Sequence, residues 1–114
     1  MRRAVTFGVS SIAAASLASS CRSCDDDATA SLTAYVTDAS GAAVCDAVVT
    51  ATDGADLFPM ENHGDCSYSG PWERAGTYVV TVSHDGQETR SDPVRVRSGA
   101  CHVSGKRVDL VASA

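Results

Sequence analysis

Five cysteines and three histidines are the residues of this 114-residue chain with most chemistry to offer. His63 stands three residues before Cys66, and Cys101 adjoins His102, so zinc-ligand types occur at two places. Neighbours on a strand point to opposite faces, so Cys101 and His102 do not easily share one ion. Ser67 and Ser69 lie close to His63, but a hydrolytic triad also needs an orienting acid, and no G-x-S-x-G elbow is present. Asp53, Asp56, Glu61 and Asp65 have the oxygen ligands calcium prefers, without the spacing of an EF-hand loop. Asp25, Asp26 and Asp27 read as a solvated, self-repelling linker. His84 falls in an expected turn and His102 on the outward face of an expected strand, both at the surface. Trp72, the only tryptophan, is expected on the core edge with Glu73 or Arg74 over it. No catalytic residue, metal or cofactor is expected.

The cysteines make more sense as structure, because the chain begins like an exported one. Met1-Arg2-Arg3 is a short basic region, 4–18 is uncharged and largely apolar, and Ala18-Ser19-Ser20 supplies small residues before Cys21. That order is a cleavable signal peptide over 1–20. Its apolar stretch is shorter than the roughly 20 residues of a spanning helix. Cleavage leaves one small domain with a thin core, a size class that leans on disulfides. It also leaves seven basic residues against fourteen acidic, a net charge of −7. An acidic surface without a Lys or Arg run repels phosphate backbones, so nucleic acid is not an expected partner.

Ala18-Ser19-Ser20-Cys21 resembles a bacterial lipobox, which implies a diacylglyceryl thioether on Cys21. Ala18 departs from the branched residue usual there, and the same segment also suits the general signal peptidase. Parity supports the lipid. All five cysteines follow the signal peptide, an exported protein pairs its thiols, and lipidation of Cys21 leaves four. Two acyl chains give stable anchoring. Arg22 stands where an inner-membrane retention signal would have Asp, so the outer membrane is expected if the host has one. Residues 21–29 would be an acidic tether and 30–114 the folded domain. Four cysteines allow three connectivities. Cys66–Cys101 with Cys24–Cys45 is the pairing expected, the first stapling the irregular middle to the last strands. A closed loop of that size contributes roughly 3–4 kcal/mol.

The mature segment has twelve Val and eight Thr against three Leu and one Lys, a composition that favours strands over helices. Period-2 alternation follows. Leu32, Ala34 and Val36 share a face, as do Cys45, Ala47, Val49 and Ala51, then Tyr78, Val80 and Val82. Val94 with Val96, Cys101 with Val103 and Val108 with Leu110 complete the inward set. Asp38-Ala39-Ser40-Gly41, Asp53-Gly54 and Asp85-Gly86 are turns. The aperiodic middle, 55–75, is expected to hold short strands near Leu57–Met60 and Cys66–Tyr68. Short strands at this spacing predict an all-β sandwich or barrel.

From Leu32 to Leu110 the chain resembles the carboxypeptidase regulatory-like domain. The residues are Asp38-Ala39-Ser40-Gly41-Ala42-Ala43-Val44 with Ala47, then Ala75-Gly76-Thr77-Tyr78-Val79-Val80-Thr81-Val82 closed by Asp85-Gly86, and Val94-Arg95-Val96 with Val108-Asp109-Leu110. The resemblance implies a seven-stranded transthyretin-like β-sandwich, with glycines at turns needing positive φ and the tyrosine between the sheets. Cys66, Tyr68, Trp72-Glu73-Arg74 and Cys101-His102-Val103 look like small lipoproteins of soil bacteria such as myxobacteria. The family name implies a fold, not peptidase activity. The Tyr-Arg-Gly-Ser tail of related purine-pathway hydrolases is missing from Leu110-Val111-Ala112-Ser113-Ala114. A pilus-type isopeptide would need Lys106 and Asn62. The expected protein is therefore a monomeric, lipid-anchored structural or binding module of the cell envelope, its partners the membrane and an envelope protein or glycan. The alternatives are a secreted protein- or carbohydrate-binding domain and, behind it, a small envelope hydrolase.

Overall fold

Valine-rich alternation becomes two β-sheets that enclose one apolar core. The computed structural model describes Cys24 and residues 26–112. The signal peptide over 1–20 and the lipid site at Cys21 lie outside these residues. Nine strands and no helix occur among the described residues: β1 (Leu32–Thr37), β2 (Val48–Asp53), β3 (Asp56–Pro59), β4 (Glu61–Asn62), β5 (Ser67–Ser69), β6 (Gly76–His84), β7 (Gln87–Arg90), β8 (Val94–Val96) and β9 (Lys106–Val111).

One sheet has the order β9-β1-β5-β4. Its β9 and β1 run parallel, from Lys106 opposite Leu32 to Val111 opposite Thr37. The other sheet has the order β3-β2-β6-β7, with β8 also paired to β6. Two interruptions shape it. Between β3 and β4 the chain changes sheet at Met60, whose N–H still donates to Val49 O at 2.9 Å. Between β7 and β8 the pairing with β6 slips by one residue, from Thr81 opposite Arg90 to Tyr78 opposite Val94. That slip is a bulge at Ser91-Asp92-Pro93. The Ser91 hydroxyl accepts the Val80 N–H there at 2.9 Å, which keeps the buried donor satisfied. Pro93 removes a donor where the ladder is already broken.

The core takes Leu32, Ala34, Val36, Tyr68, Val108 and Leu110 from the first sheet and Val49, Ala51, Tyr78, Val80 and Val82 from the second. Every alternating set expected inward over these positions is buried. Both tyrosines are essentially inaccessible to water. Tyr68 donates its hydroxyl to Val44 O at 2.8 Å and accepts the Ala47 N–H at 3.2 Å. These bonds fix the crossover between the sheets just before β2 begins.

The fold has two ends. At the first end stand the starts of β1 and β9, the Gly76 end of β6 and the hairpin 53–56. At the far end stand Thr37, Val48 and His84. Each end carries a disulfide. Cys24–Cys101 closes the first, with Cα atoms 5.3 Å apart, and Cys45–Cys66 closes the far one, at 4.3 Å. The expected pairing, Cys66–Cys101 with Cys24–Cys45, is thereby corrected. Cys66 leads into Ser67, which faces Tyr35, whereas the 98–105 loop precedes Lys106, which faces Leu32. Three residues of strand, roughly 10 Å, already separate those register positions. That exceeds what one disulfide spans.

Other expectations shift as well. Strand β2 starts at Val48, so Cys45 and Ala47 belong to the crossover. Cys101 and Val103 form no strand; their loop is closed by a bridge between Ser98 and Val103. Asp85-Gly86 does more than end a strand. Both residues have positive φ, 52° and 77°, and His84 faces Gln87, so they form a two-residue hairpin into β7. Gly76 has no positive φ. It is glycine because a Cβ there would meet Asp53 Oδ2 at 2.5 Å and Arg74 Nη1 at 3.1 Å.

Removing Cys45 and Cys66 together should cost about 3 kcal/mol, and removing Cys24 and Cys101 together about 4–5 kcal/mol, because the second closes the longer loop. Urea unfolding of the two double-alanine variants measures the difference. Tyr68→Phe leaves Val44 O and the Ala47 N–H without their buried partner and should cost about 1–3 kcal/mol in the same experiment.

Candidate functional site

A connected cluster of polar residues lies at the first end, around a turn that runs from Gly70 to Ala75. A cis peptide joins Gly70 to Pro71, and Glu73 adopts a φ of 51°. Glu73 follows Trp72, which bridges to Ala30 beside β1. The Glu73 N–H donates to Thr29 O at 2.9 Å, and its carboxylate accepts the Thr29 N–H and the Val103 N–H, each at 3.0 Å. The same carboxylate contacts Nδ1 of His102. One acid therefore joins the segment before β1 to the loop before β9, next to the Cys24–Cys101 disulfide.

These bonds hold the Glu73 carboxyl below its ordinary range, the His102 contact contributing most and the Val103 amide next. A carboxylate tied by two backbone donors and an imidazole is a clamp. Both oxygens are committed, which leaves it poorly placed to take a proton from a substrate. A surface hollow of about 400 Å³ lies beside it, lined by Glu73, Ser98, Gly99, Cys101, His102 and Val103.

Arg74 forms the adjoining node. Its backbone is held by Ser31, whose buried hydroxyl donates to Arg74 O at 2.7 Å and accepts the Arg74 N–H at 2.9 Å. Its guanidinium donates to Asp53 at 3.0 Å, to Asp56 at 3.2 Å and to the Tyr78 hydroxyl at 3.1 Å. Tyr78 in turn donates to Arg74 O at 2.7 Å. The guanidinium also lies over the Phe58 ring, 4.7 Å from its centre. Its pKa is raised, by the Tyr78 hydrogen bond first and the Asp53 bond next. This cation links the turn to both strands of the β2–β3 hairpin.

Several of the residues considered for chemistry have structural partners. The zinc alternative loses its sulfur ligands, since Cys66 and Cys101 are both in disulfides. Asp53 and Asp56 face Arg74, and Asp65 accepts the Ser67 N–H and hydroxyl at 3.1 and 2.6 Å. The Ser67 hydroxyl holds the Asp65 carboxyl below its usual range, as Ser40 does for Asp38 in the first turn. No group of three or more metal-ligating side chains occurs among the described residues. Ser67 and Ser69 are buried while His63 is exposed, its ring edge-on to Trp72. Asn62 and Lys106 lie in β4 and β9, opposite edges of the four-stranded sheet, so no isopeptide can join them.

Three placements differ from expectation. His84 is the last residue of β6, largely buried, with Nε2 3.0 Å from Asp46 Oδ1. The Asp85-Gly86 hairpin displaces the turn by one residue and carries the strand through it. His102 sits in a bend rather than on a strand, turned toward Glu73. Trp72 is 43% exposed, and Arg74 covers Phe58 and Tyr78 in its place. Sequence reasoning missed Glu73 and Arg74 as nodes. The available signal was Gly70-Pro71, a turn dipeptide that places the next charged residues at a corner.

Comparison with protein-family models, with curated proteins and with solved structures finds no match to this chain.

Glu73 also sets a pH dependence. Its folded pKa lies below the unfolded value, so its contribution is complete above ordinary carboxylate values, about pH 4.5, and is lost as pH falls through the folded value. Hydrogen exchange at the Thr29 and Val103 amides should accelerate in acid. Glu73→Gln should bring the same acceleration at neutral pH while the Val80 and Val82 amides stay protected.

Proposed function

We propose that this chain is a lipid-anchored protein of the cell envelope, a structural or binding module without catalytic activity. The observation that carries this reading is cysteine accounting. Cys24, Cys45, Cys66 and Cys101 satisfy one another in two disulfides. The remaining cysteine is Cys21, directly after Ala18-Ser19-Ser20. A thiol left over in a disulfide-bonded exported protein needs a modification or a partner, and its position suits a thioether-linked diacylglycerol. The outer membrane is the destination if the host has one.

The absence of catalysis is supported by the commitments of the candidate groups. The Glu73, Ser67, Asp53 and Asp65 side chains each complete a hydrogen bond that holds a turn or strand end. We further propose that the two sheets form the seven-stranded transthyretin-like sandwich of the carboxypeptidase regulatory-like family. Counting β3 with β4 as one strand that changes sheet, and β7 with β8 as one bulged edge strand, reduces nine segments to seven. The anticipated partners are the membrane and an envelope protein or glycan, met by a monomer.

Intact mass of the native protein tests this directly. The expected species starts at Cys21, carries diacylglycerol, and gains four protons on reduction. An unmodified Cys21 start would overturn the anchor and leave a secreted domain cut by the general peptidase. Cys21→Ser should release the protein from membranes without changing its disulfides.

A further inference from the structure

The Cys24–Cys101 disulfide changes what residues 21–29 can be. A tether nine residues long would let the domain tumble. A staple at Cys24 leaves only Arg22 and Ser23 between the lipid site and a covalent bond to the folded domain. Three Cα–Cα steps span at most about 11 Å. The anchor is then joined to the 98–105 loop rather than to the start of β1, and the leash is too short for the far end of the domain to reach lipid.

We infer that the first end of the domain lies flat on the membrane surface, with Trp72 at the headgroup level. This rests on the lipid anchor proposed above. The contacts run without a gap: Cys24 is bonded to Cys101, His102 touches Glu73, and Glu73 follows Trp72. Trp72 therefore stands on the same end as the leash, and it is among the few large apolar side chains left exposed. An amphipathic indole is the side chain best suited to a membrane–water interface.

The two ends also differ in charge. Arg97 and Lys106 flank the loop, are exposed, and make no ion pair among the described residues. Basic side chains close to a leaflet are drawn to anionic headgroups. Of the acids on this end, Glu73 is engaged by His102, and Asp53 and Asp56 by Arg74. Asp26 and Asp27 are exposed, with Asp25 beside them in the sequence, and their charges cancel those of Arg97 and Lys106, so the short leash and Trp72 set the orientation. The far end presents Asp38, Asp46, Asp65 and Asp85, which anionic lipid repels. The stapled end faces lipid, and the end bearing Cys45–Cys66 faces outward.

Fluorescence of Trp72, the sole tryptophan, reads this without labelling. The lipidated protein is reconstituted in phosphatidylcholine–phosphatidylglycerol vesicles with or without brominated acyl chains. The expected result is co-flotation with a blue-shifted Trp72 emission that brominated lipid quenches. A companion variant keeps both disulfides but carries an eight-residue Gly-Ser insertion after Ser23, which extends the leash to roughly 40 Å. It should still float while losing most of the shift and quenching. A protein that floats with unquenched Trp72 overturns the orientation and leaves the anchor intact. Equal quenching in the native and insertion forms overturns the leash as its cause. A protein that neither carries lipid nor floats removes the anchor itself, and the orientation with it.

Discussion

Tyr68 and Tyr78 reach into the interlayer space from opposite sheets, and each brings a hydroxyl that has to be satisfied out of water. An unpaired buried hydroxyl costs as much as the packing around it returns. Each ring therefore dictates where a connecting segment must pass. Tyr68 takes Val44 and Ala47 at the far end, and Tyr78 takes the Arg74 carbonyl at the first. The rest of the core is mainly valine and alanine, side chains that fill a thin layer but fix no loop. The two phenols set the path of two of the four crossings between the sheets, β1 to β2 and β5 to β6.

Further bonds hold each of those crossings or a segment beside it. The far one carries Cys45–Cys66, with His84 against Asp46 beside it. At the first end stands Cys24–Cys101, with Glu73 and Arg74 in the turn beside it. A small domain has little apolar area with which to hold irregular segments, so it holds them by shortening the unfolded chain's freedom and by placing one charge among several donors. The same economy explains why the residues with catalytic potential are occupied. Asp53, Asp56, Asp65, Ser67 and His102, which suggest chemistry in a linear reading, are among the groups this thin β-domain uses to close its ends.

What distinguishes the two ends is where they lead. The far end is ringed by aspartates and bounded by tight turns at Asp38–Gly41 and Asp85-Gly86. The first end gathers the segment just before β1, the exposed indole, and Arg74, Arg95 and Arg97. A chain exported and anchored through its N-terminus would meet its membrane with that end. The domain thus has a direction, which its sequence composition, uniformly acidic on average, conceals.

Local pattern by itself determined a good deal. Alternation is a property of a single strand, and a strand with one buried face must write that face into every second residue. Leu32, Ala34 and Val36, then Val49 and Ala51, then Tyr78, Val80 and Val82, and finally Val108 and Leu110 were legible for that reason. The turns at Asp38–Gly41, Asp53-Gly54 and Asp85-Gly86 were legible because few residues tolerate positive φ. Strand β7 was not, since Gln87–Arg90 is a largely exposed edge that buries no alternating face. Gly76 read as a turn glycine, and only the approach of Asp53 and Arg74 gives its true reason. The cysteine pairing, the clamp at Glu73 and the exposure of Trp72 were decided by tertiary structure alone. They depend on which ends of distant strands coincide, and that follows from sheet order and register, which no local periodicity records.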